Sequence, residues 1–210
     1  MARAISTKTL FEKKYKEFPF TGVWSEVLGN PEKGKEWLIW GDEKNGKTLF
    51  ALKLAEYMSQ YESVIYISAE EGFGKSFQQN AKERAKIDFK RSKVKWLEYE
   101  PLDEIEKILD KRQSPKVVFF DNLTAYKDEF VQGRYSKLTK KYPNHTMIFV
   151  AHEERGQPYT ATAKLCKKLA RIIIKVEGMV ANITGSCPGG QLVIDDQTAQ
   201  LIYGSEINRK

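Results

Sequence analysis

An alternation of short apolar runs with longer charged segments constrains the fold most strongly, and it begins at Trp37. The runs are four to six residues long, and the segments between them place apolar residues at helical spacing. Such runs are typical of the buried strands of a parallel sheet with helices on both faces. We therefore predict a single α/β domain. The predicted strands are WLIW (37–40), SVIYIS (63–68), VKWLEY (94–99), KVVFF (116–120), TMIFVA (146–151) and RIIIKV (171–176).

The two ends of the chain depart from this pattern. Residues 1–35 are predicted to be an N-terminal extension and residues 36–210 the domain proper. In the extension, Thr9 and Glu12 match a capping box that opens a short helix. Its apolar side would carry Leu10, Phe11, Tyr15 and Phe18. The closing stretch, 181–204, contains PGG and DDQ turns and predicts two or three antiparallel strands. Helices are predicted near 48–58, 73–86, 103–111, 128–142 and 162–170.

Composition narrows the function classes. Lysine and arginine number 35 against 28 aspartates and glutamates, a net charge of +7, which favours phosphate-bearing partners. No apolar run approaches the ~18 residues of a membrane helix, and the first residues lack the apolar segment of a secretory signal. We therefore expect a cytoplasmic protein without a membrane partner. Cys166 and Cys187 are too few and too isolated for a disulfide framework or a zinc site.

A phosphate-binding loop follows the first predicted strand. Residues 41–48, GDEKNGKT, match G-x-x-x-x-G-K-[ST] between a strand and a helix, which is the context this motif requires. Lys47 would reach the β- and γ-phosphates of ATP, and the Thr48 hydroxyl would hold Mg²⁺. The alternative is an ordinary turn with a solvated lysine. The predicted nucleotide-binding residues are Gly41, Asp42, Glu43, Lys44, Asn45, Gly46, Lys47, Thr48 and Leu49.

Acidic residues end two further strands. Asp121 follows VVFF and would orient the magnesium ion through water, although an aspartate that merely starts a turn has the same pattern. Glu70 follows the second strand and would polarise the water that attacks the γ-phosphate. The alternative for this strand end is an exposed acidic turn, which suits Glu71 better than Glu70.

The two histidines receive different predictions. His152 follows the fifth strand, where a polar side chain can sense the γ-phosphate, although a surface loop histidine would look the same. For His145, in YPNHT, a surface loop position is expected. The catalytic prediction therefore combines Glu70, Lys47 and His152.

Together these segments resemble the RecA-like ATPases. The loop GDEKNGKT is similar to the form G-x-E-x-x-G-K-T, with Glu43 at the glutamate position. IYISAEE resembles the strand that carries the family's catalytic glutamate, here Glu70, and VVFFDN resembles the strand that carries Asp121. The polar residue after the fifth strand is His152, as in the RadA-like branch. QTAQLIYG (197–204) is similar to the last core strand.

The resemblance implies the strand order and the activity. The phosphate-loop strand would lie beside the sensor strand, which would lie beside the Asp121 strand. Assemblies of the family's subunits use ATP to work on DNA, so ATP, Mg²⁺, single-stranded DNA and further copies of the chain are the implied ligands and partners. The segments at the family's DNA-binding loops, 122–127 and 153–161, are short, and its paired lysines are missing from VANITGSCPGG. In size the chain is similar to a minimal RecA core, as in small phage or mobile-element recombinases.

A basic stripe follows the second of those loops. Lys164, Lys167, Lys168 and Arg171 have helical spacing, with Leu165 and Leu169 expected on the opposite side. The stripe would track a DNA backbone or be an ordinary solvated face. Candidate DNA-binding residues are Arg155, Lys164, Lys167 and Lys168, with Tyr159 as a residue that would stack on a base. Arg155 and Lys164 are also candidates for a charge supplied to the ATP of a neighbouring subunit.

The predicted function is an Mg-ATP-dependent ATPase in DNA recombination or replication. One alternative is a nucleotide-controlled switch or scaffold of the same fold with negligible turnover. A P-loop kinase for a small molecule is disfavoured, because no arginine-rich lid segment is evident.

Overall fold

A computed structural model of the protein describes residues 4–203, and the elements below belong to that range. The strands are β1 Glu36–Gly41, β2 Val64–Ser68, β3 Val94–Glu98, β4 Val117–Asp121, β5 Thr146–Glu154, β6 Gln157–Pro158, β7 Ile172–Glu177, β8 Val180–Gly185 and β9 Gly190–Val193. The helices are α1 Thr7–Phe11, α2 Gly22–Leu28, α3 Lys47–Ser59, α4 Lys75–Gln79, α5 Leu102–Leu109, α6 Arg134–Lys141, α7 Ala161–Leu169 and α8 Asp196–Tyr203. A π-helical turn, Asn80–Arg84, continues α4.

The strands form a single sheet in the order β3-β2-β4-β5-β1-β7-β8-β9, with β6 paired to β5. From β3 to β7 all neighbours are parallel, whereas β8 and β9 are antiparallel and follow at one side. This confirms the predicted α/β fold with antiparallel strands at the C-terminal end. It also confirms the expected neighbours, since β1 lies beside β5 and β5 lies beside β4.

Two apolar layers cover the sheet, because successive strand residues point to opposite faces. On one face α3 packs against side chains that include Trp37, Ile39 and Phe119. On the other face α5, α6 and α7 pack against side chains that include Leu38 and Phe120. Because α3 packs against one face of the sheet, most of its residues are buried, and its first turn directly follows the loop after β1.

The N-terminal prediction is wrong in its details. The helix cap is Ser6, whose hydroxyl accepts from the backbone N–H of Thr9, and the helix is only α1. Leu10, Phe11 and Tyr15 are exposed rather than packed on one apolar side, because a helix of five residues ends before it reaches the core. Phe18 is buried. Together with Phe20, Val27 and Leu28, it packs in the apolar layer on the α3 side of the sheet.

Three other predicted elements differ from the structure. The segment 73–86 is not one helix, since α4 begins only after Gly74 and gives way to the π-helical turn. The segment 128–142 is helical only in α6, because Gln132 and Gly133 adopt positive φ angles directly before it. The predicted last strand, 197–204, is helix α8 as far as residue 203, and residue 204 lies outside the described range. Here the Asp195 carboxylate accepts from the backbone N–H of Thr198 and so caps the helix.

No helix within residues 4–203 has both the length and the apolar character that crossing a membrane requires.

Candidate nucleotide-binding site

The phosphate loop turns sharply between β1 and α3, and two glycines permit it. Gly41 has a φ of 156°, and a Cβ there would lie 2.1 Å from the carbonyl oxygen of Val176. Gly46 has a φ of 98°, and its Cβ would lie 2.4 Å from Sδ of Met179. Gly46 is also the N-cap of α3 and has no side chain to bond the first helical amides. These amides therefore face the loop, which is the usual arrangement of an anion site at a helix N-terminus.

A contact with the β7–β8 turn holds the loop in place. The side-chain oxygen of Asn45 accepts from the backbone N–H of Gly178 at 2.7 Å, and the carbonyl oxygen of Asn45 accepts from the N–H of Met179 at 3.1 Å. Met179 itself has a positive φ of 62° and is buried against Gly46. The sequence predicted Asn45 as a loop residue, but Gly178 and Met179 are brought to it only by the fold.

Lys47 is positioned for an anion that the loop would enclose. Its side chain is buried and its ammonium group donates to the carbonyl oxygen of Asp42 at 2.6 Å. Burial lowers the pKa of Lys47, while the charges of Asp121, Asp42, Glu70 and Glu43 act in the opposite direction. A partly desolvated cation with acidic neighbours is stabilised further when a polyphosphate arrives beside it.

The predicted magnesium residues lie together. Asp121 ends β4, is buried, and accepts a hydrogen bond from the Tyr66 hydroxyl at 2.5 Å. Burial raises the pKa of Asp121, and hydrogen bonds from Tyr66 and Thr48 oppose that rise. A carboxylate and a hydroxyl are ligands that suit Mg²⁺, which usually takes few protein ligands and keeps several waters. The donor set therefore fits the ion, and within residues 4–203 no larger group of acidic, histidine or cysteine ligands is found elsewhere.

Glu70 contacts two polar residues at the ends of β4 and β5. Its Oε2 lies 2.9 Å from Nε2 of His152 and accepts from the side-chain amide of Asn122. The hydrogen bond from His152 lowers the pKa of Glu70, burial opposes this, and the charges of His152 and Lys47 add to it. Glu70 is therefore an ionised carboxylate at neutral pH, held beside the loop lysine. Glu71 is exposed and makes no side-chain hydrogen bond among the described residues.

One cavity of about 560 Å³ lies at the carboxyl ends of the parallel strands, and it is lined by Lys47, Thr48, Glu70, Glu71, Asp121 and His152. The cavity contains residues that the sequence interpretation missed: Ser68, Asn80, Arg84, Asn122 and Met179. Arg84 lies on the π-helical turn, and its guanidinium group is 3.0 Å from the Asp195 carboxylate. Two of them lay beside predicted site residues in the sequence: Asn122 directly follows Asp121, and Ser68 ends the predicted strand before Glu70. Asn80, Arg84 and Met179 lie in segments whose sequence gives no indication that they are close to the phosphate loop.

The basic candidates after β5 lie away from this cavity. Arg155, with a φ of 52°, occupies the turn between β5 and β6. Lys164 and Lys168 are exposed on α7, and Nζ of Lys167 lies 4.1 Å from the ring centroid of Trp40. None of these residues lines the cavity, and their predicted binding of DNA remains a prediction.

Two details of the predicted basic stripe are wrong. Leu165 and Leu169 are 37% and 50% exposed, whereas Ala163 and Cys166 form the buried side of α7. Arg171 does not continue the helical stripe, because α7 ends at residue 169 and Arg171 directly precedes β7.

The prediction for His145 is also wrong. His145 is buried, and its Nε2 lies 3.0 Å from the Ser114 hydroxyl. Burial, aided by the charge of Lys116, lowers the pKa of His145 to about 4. The imidazole ring is therefore neutral at physiological pH. His145 directly precedes β5, at the edge of the sheet opposite the nucleotide cavity.

Comparison with known proteins supports the fold. No protein-family description and no curated protein matches the chain. Among the solved structures that do resemble it is the KaiC-like protein of the hyperthermophilic archaeon Pyrococcus horikoshii OT3. The TM-score is 0.59 at 16% sequence identity, and the match covers 77% of this chain and 80% of the other. The chain therefore has a RecA-like P-loop fold.

Proposed function

We propose that the protein is an ATPase that binds Mg-ATP at the cavity beside the phosphate loop. The observation that carries this proposal is the convergence of four side chains around one cavity: Lys47 and Thr48 from the start of α3, Asp121 from the end of β4 and Glu70 from just after β2. Each contributes the chemistry that phosphoryl transfer requires: a cation for the phosphates, two oxygen ligands for magnesium and a carboxylate near the attacking water.

In this proposal the chain's own residues supply binding and proton chemistry. The α3 amides and Lys47 would bind the phosphate oxygens, while Thr48 and Asp121 would hold the magnesium ion. When bound, Mg²⁺ would neutralise charge on the β- and γ-phosphates. Glu70 orients a water molecule and accepts its proton, and His152 orients the Glu70 carboxylate by the hydrogen bond described above.

An ATP-controlled switch or scaffold with negligible turnover is the second candidate. The contacts of Glu70 favour it, since His152 and Asn122 both bond the carboxylate that would have to reach the attacking water. The side-chain oxygen of Asn122 also accepts a hydrogen bond from the backbone N–H of Thr124. A rearrangement of the loop after β4 would therefore move Asn122 and change its hydrogen bond to Glu70. A role in DNA recombination or replication rests on the family resemblance and is part of the proposal.

Two measurements test the proposal. Calorimetry should find Mg-ATP binding that Lys47→Ala abolishes, because the variant loses the charge at the loop. A time course of ATP loss, with and without single-stranded DNA, then separates the candidates: stimulated turnover supports the ATPase, and slow unstimulated turnover supports the switch. Unchanged affinity in Lys47→Ala would contradict the phosphate-loop assignment.

A further inference from the structure

The edge of the sheet opposite the nucleotide cavity carries a row of cations. The parallel strands all begin at this edge, which we call the amino-terminal edge, and the registers place their first residues nearly level. A lysine or arginine directly precedes four of these strands: Lys93 before β3, Lys116 before β4, Lys35 before β1 and Arg171 before β7. Since neighbouring strands are about 4.8 Å apart, these positions form a row across the sheet.

A cleft of about 440 Å³ lies on this edge, beside the middle of the row. We call it the basic cleft, and its cationic lining consists of Lys13, Lys14, Lys16, Lys33, Lys35 and Lys116. The N-terminal segment reaches it because the backbone N–H of Lys33 donates to the carbonyl of Lys16 at 2.8 Å, and that of Phe18 donates to Pro31 at 2.9 Å. Buried Phe18 therefore anchors the segment that carries three of the lysines.

The charge of the basic cleft is largely uncompensated. The cleft contains two glutamates: Glu62 pairs with Lys33 at 2.5 Å, and Glu32 pairs with Lys35 at 3.1 Å. The other four lysines have no ion pair among the described residues. The neighbouring His145 stays neutral because of its burial, and exposed Glu17 is the nearest further carboxylate in the segment. Four unpaired cations in one concavity attract a ligand with several negative charges.

Tyr15 indicates what kind of polyanion fits. Its ring lines the basic cleft and is 49% exposed, and the ammonium group of Lys13 lies 5.0 Å from its centroid. An exposed aromatic ring between lysines can stack on a base while the lysines bind the flanking phosphates. An acidic protein segment or a lipid headgroup would use the charges but has no flat base for the ring.

We propose that the basic cleft binds single-stranded nucleic acid, with phosphates on Lys14, Lys16 and Lys116 and a base on Tyr15. This site lies on the far edge of the sheet from the nucleotide cavity, roughly 16 Å away along a strand of β1's length. It does not depend on the proposed ATPase activity. It is also separate from the predicted stripe on α7.

Fluorescence anisotropy with a labelled oligothymidylate tests the proposal. The triple variant Lys14→Glu/Lys16→Glu/Lys116→Glu should bind at least about tenfold more weakly. Between about 50 and 200 mM salt, its log–log salt slope should be shallower by about 2, because each lost phosphate contact in a single strand accounts for about 0.7. Tyr15→Ala should weaken binding at least about fivefold without changing the slope, since stacking releases no counterions.

The matched control is Lys90→Glu/Lys95→Glu/Lys137→Glu, which makes the same charge change at exposed lysines outside the basic cleft. It should retain affinity within about twofold. All of these measurements are made without ATP, so the outcome is independent of the ATPase proposal. An equal loss in the control would mean that net charge alone attracts the oligonucleotide and would overturn the proposal. Loss only in Lys164→Glu/Lys167→Glu/Lys168→Glu would place the nucleic acid on α7 instead.

Membrane binding is the remaining alternative outcome, because α1 exposes Leu10 and Phe11 a few residues before the basic cleft. Wild-type protein that sediments with phosphatidylserine vesicles but does not bind the oligonucleotide would overturn the proposal. Circular dichroism should show unchanged folding of each variant. If the triple variant folds poorly, Tyr15→Ala and Lys14→Glu alone decide the question, since both side chains are exposed.

Discussion

Nε2 of His152 lies 2.9 Å from Oε2 of Glu70, although their strands, β5 and β2, are separated by β4. Asn122, which directly follows β4, fills the interval and donates to the same carboxylate oxygen. The three side chains therefore form a row across the ends of three adjacent strands. These hydrogen bonds link the proposed catalytic carboxylate of Glu70 to β5 and to the segment after β4.

Glu70→Gln should reduce ATP hydrolysis by roughly 10²–10⁴-fold, which is the usual contribution of a positioned general base. The amide keeps the size and some hydrogen bonding of Glu70, so the affinity for ATP should change little. Steady-state turnover and calorimetric affinity measure the two effects. The matched control is Glu71→Gln. It should behave like wild type because Glu71, although it also lines the cavity, makes no side-chain hydrogen bond among the described residues. Loss of turnover in Glu71→Gln but not in Glu70→Gln would mean that Glu71, one residue further on, is the catalytic glutamate.

His152→Ala should shift the acidic limb of the pH–rate profile to higher pH. The hydrogen bond from His152 is the largest cause of the lowered pKa of Glu70, so its removal raises that pKa and protonates the base at a higher pH. His152→Gln keeps an amide donor and should shift the limb less. Identical profiles for wild type and His152→Ala would show that His152 does not control Glu70.

Asp121→Asn should leave some nucleotide binding but weaken its dependence on magnesium, because the variant lacks the carboxylate that would orient the ion. Tyr66→Phe should have a smaller effect in the same direction. The Tyr66 hydroxyl opposes the rise in the pKa of buried Asp121, so its loss makes the carboxylate harder to ionise. ATP affinity across a magnesium titration measures both variants. An unaltered magnesium requirement in Asp121→Asn would make Asp121 a turn residue only.

Folding stability should fall as the pH decreases from about 6.5 towards 4. In the folded protein the pKa of His145 is about 4, below its ordinary value, so the unfolded chain binds the extra proton first. The stability that the neutral His145 contributes is fully present above the pKa that His145 has in the unfolded chain. By pH 5 about 1–2 kcal/mol of this stability should be lost. Urea unfolding at several pH values tests this. His145→Gln should be less pH-sensitive in that range, and an equal sensitivity would assign the effect to other groups.

The sequence was sufficient for features that depend on local geometry. The phosphate loop could be predicted from the sequence because a tight strand-to-helix turn around an anion requires glycine at fixed positions, here Gly41 and Gly46. The parallel sheet could be predicted from its apolar runs. Glu70, Asp121 and His152 could be predicted as site residues because they lie at or just after predicted strand ends. Parallel strands bring their carboxyl ends to one edge, so these predictions needed only the correct strand order.

Long-range packing supplied what the residues alone did not indicate. Helix α8, which was predicted as a strand, and the short helix α1 were mispredicted, because short apolar segments suit several structures until their neighbours select one. Met179 and Arg84 reach the nucleotide cavity through a turn and a π-helical turn far from the loop in sequence. His145 is buried by packing, which its polar neighbours in YPNHT did not suggest. The basic cleft likewise exists only because the strands start level, so that lysines far apart in sequence meet at one edge.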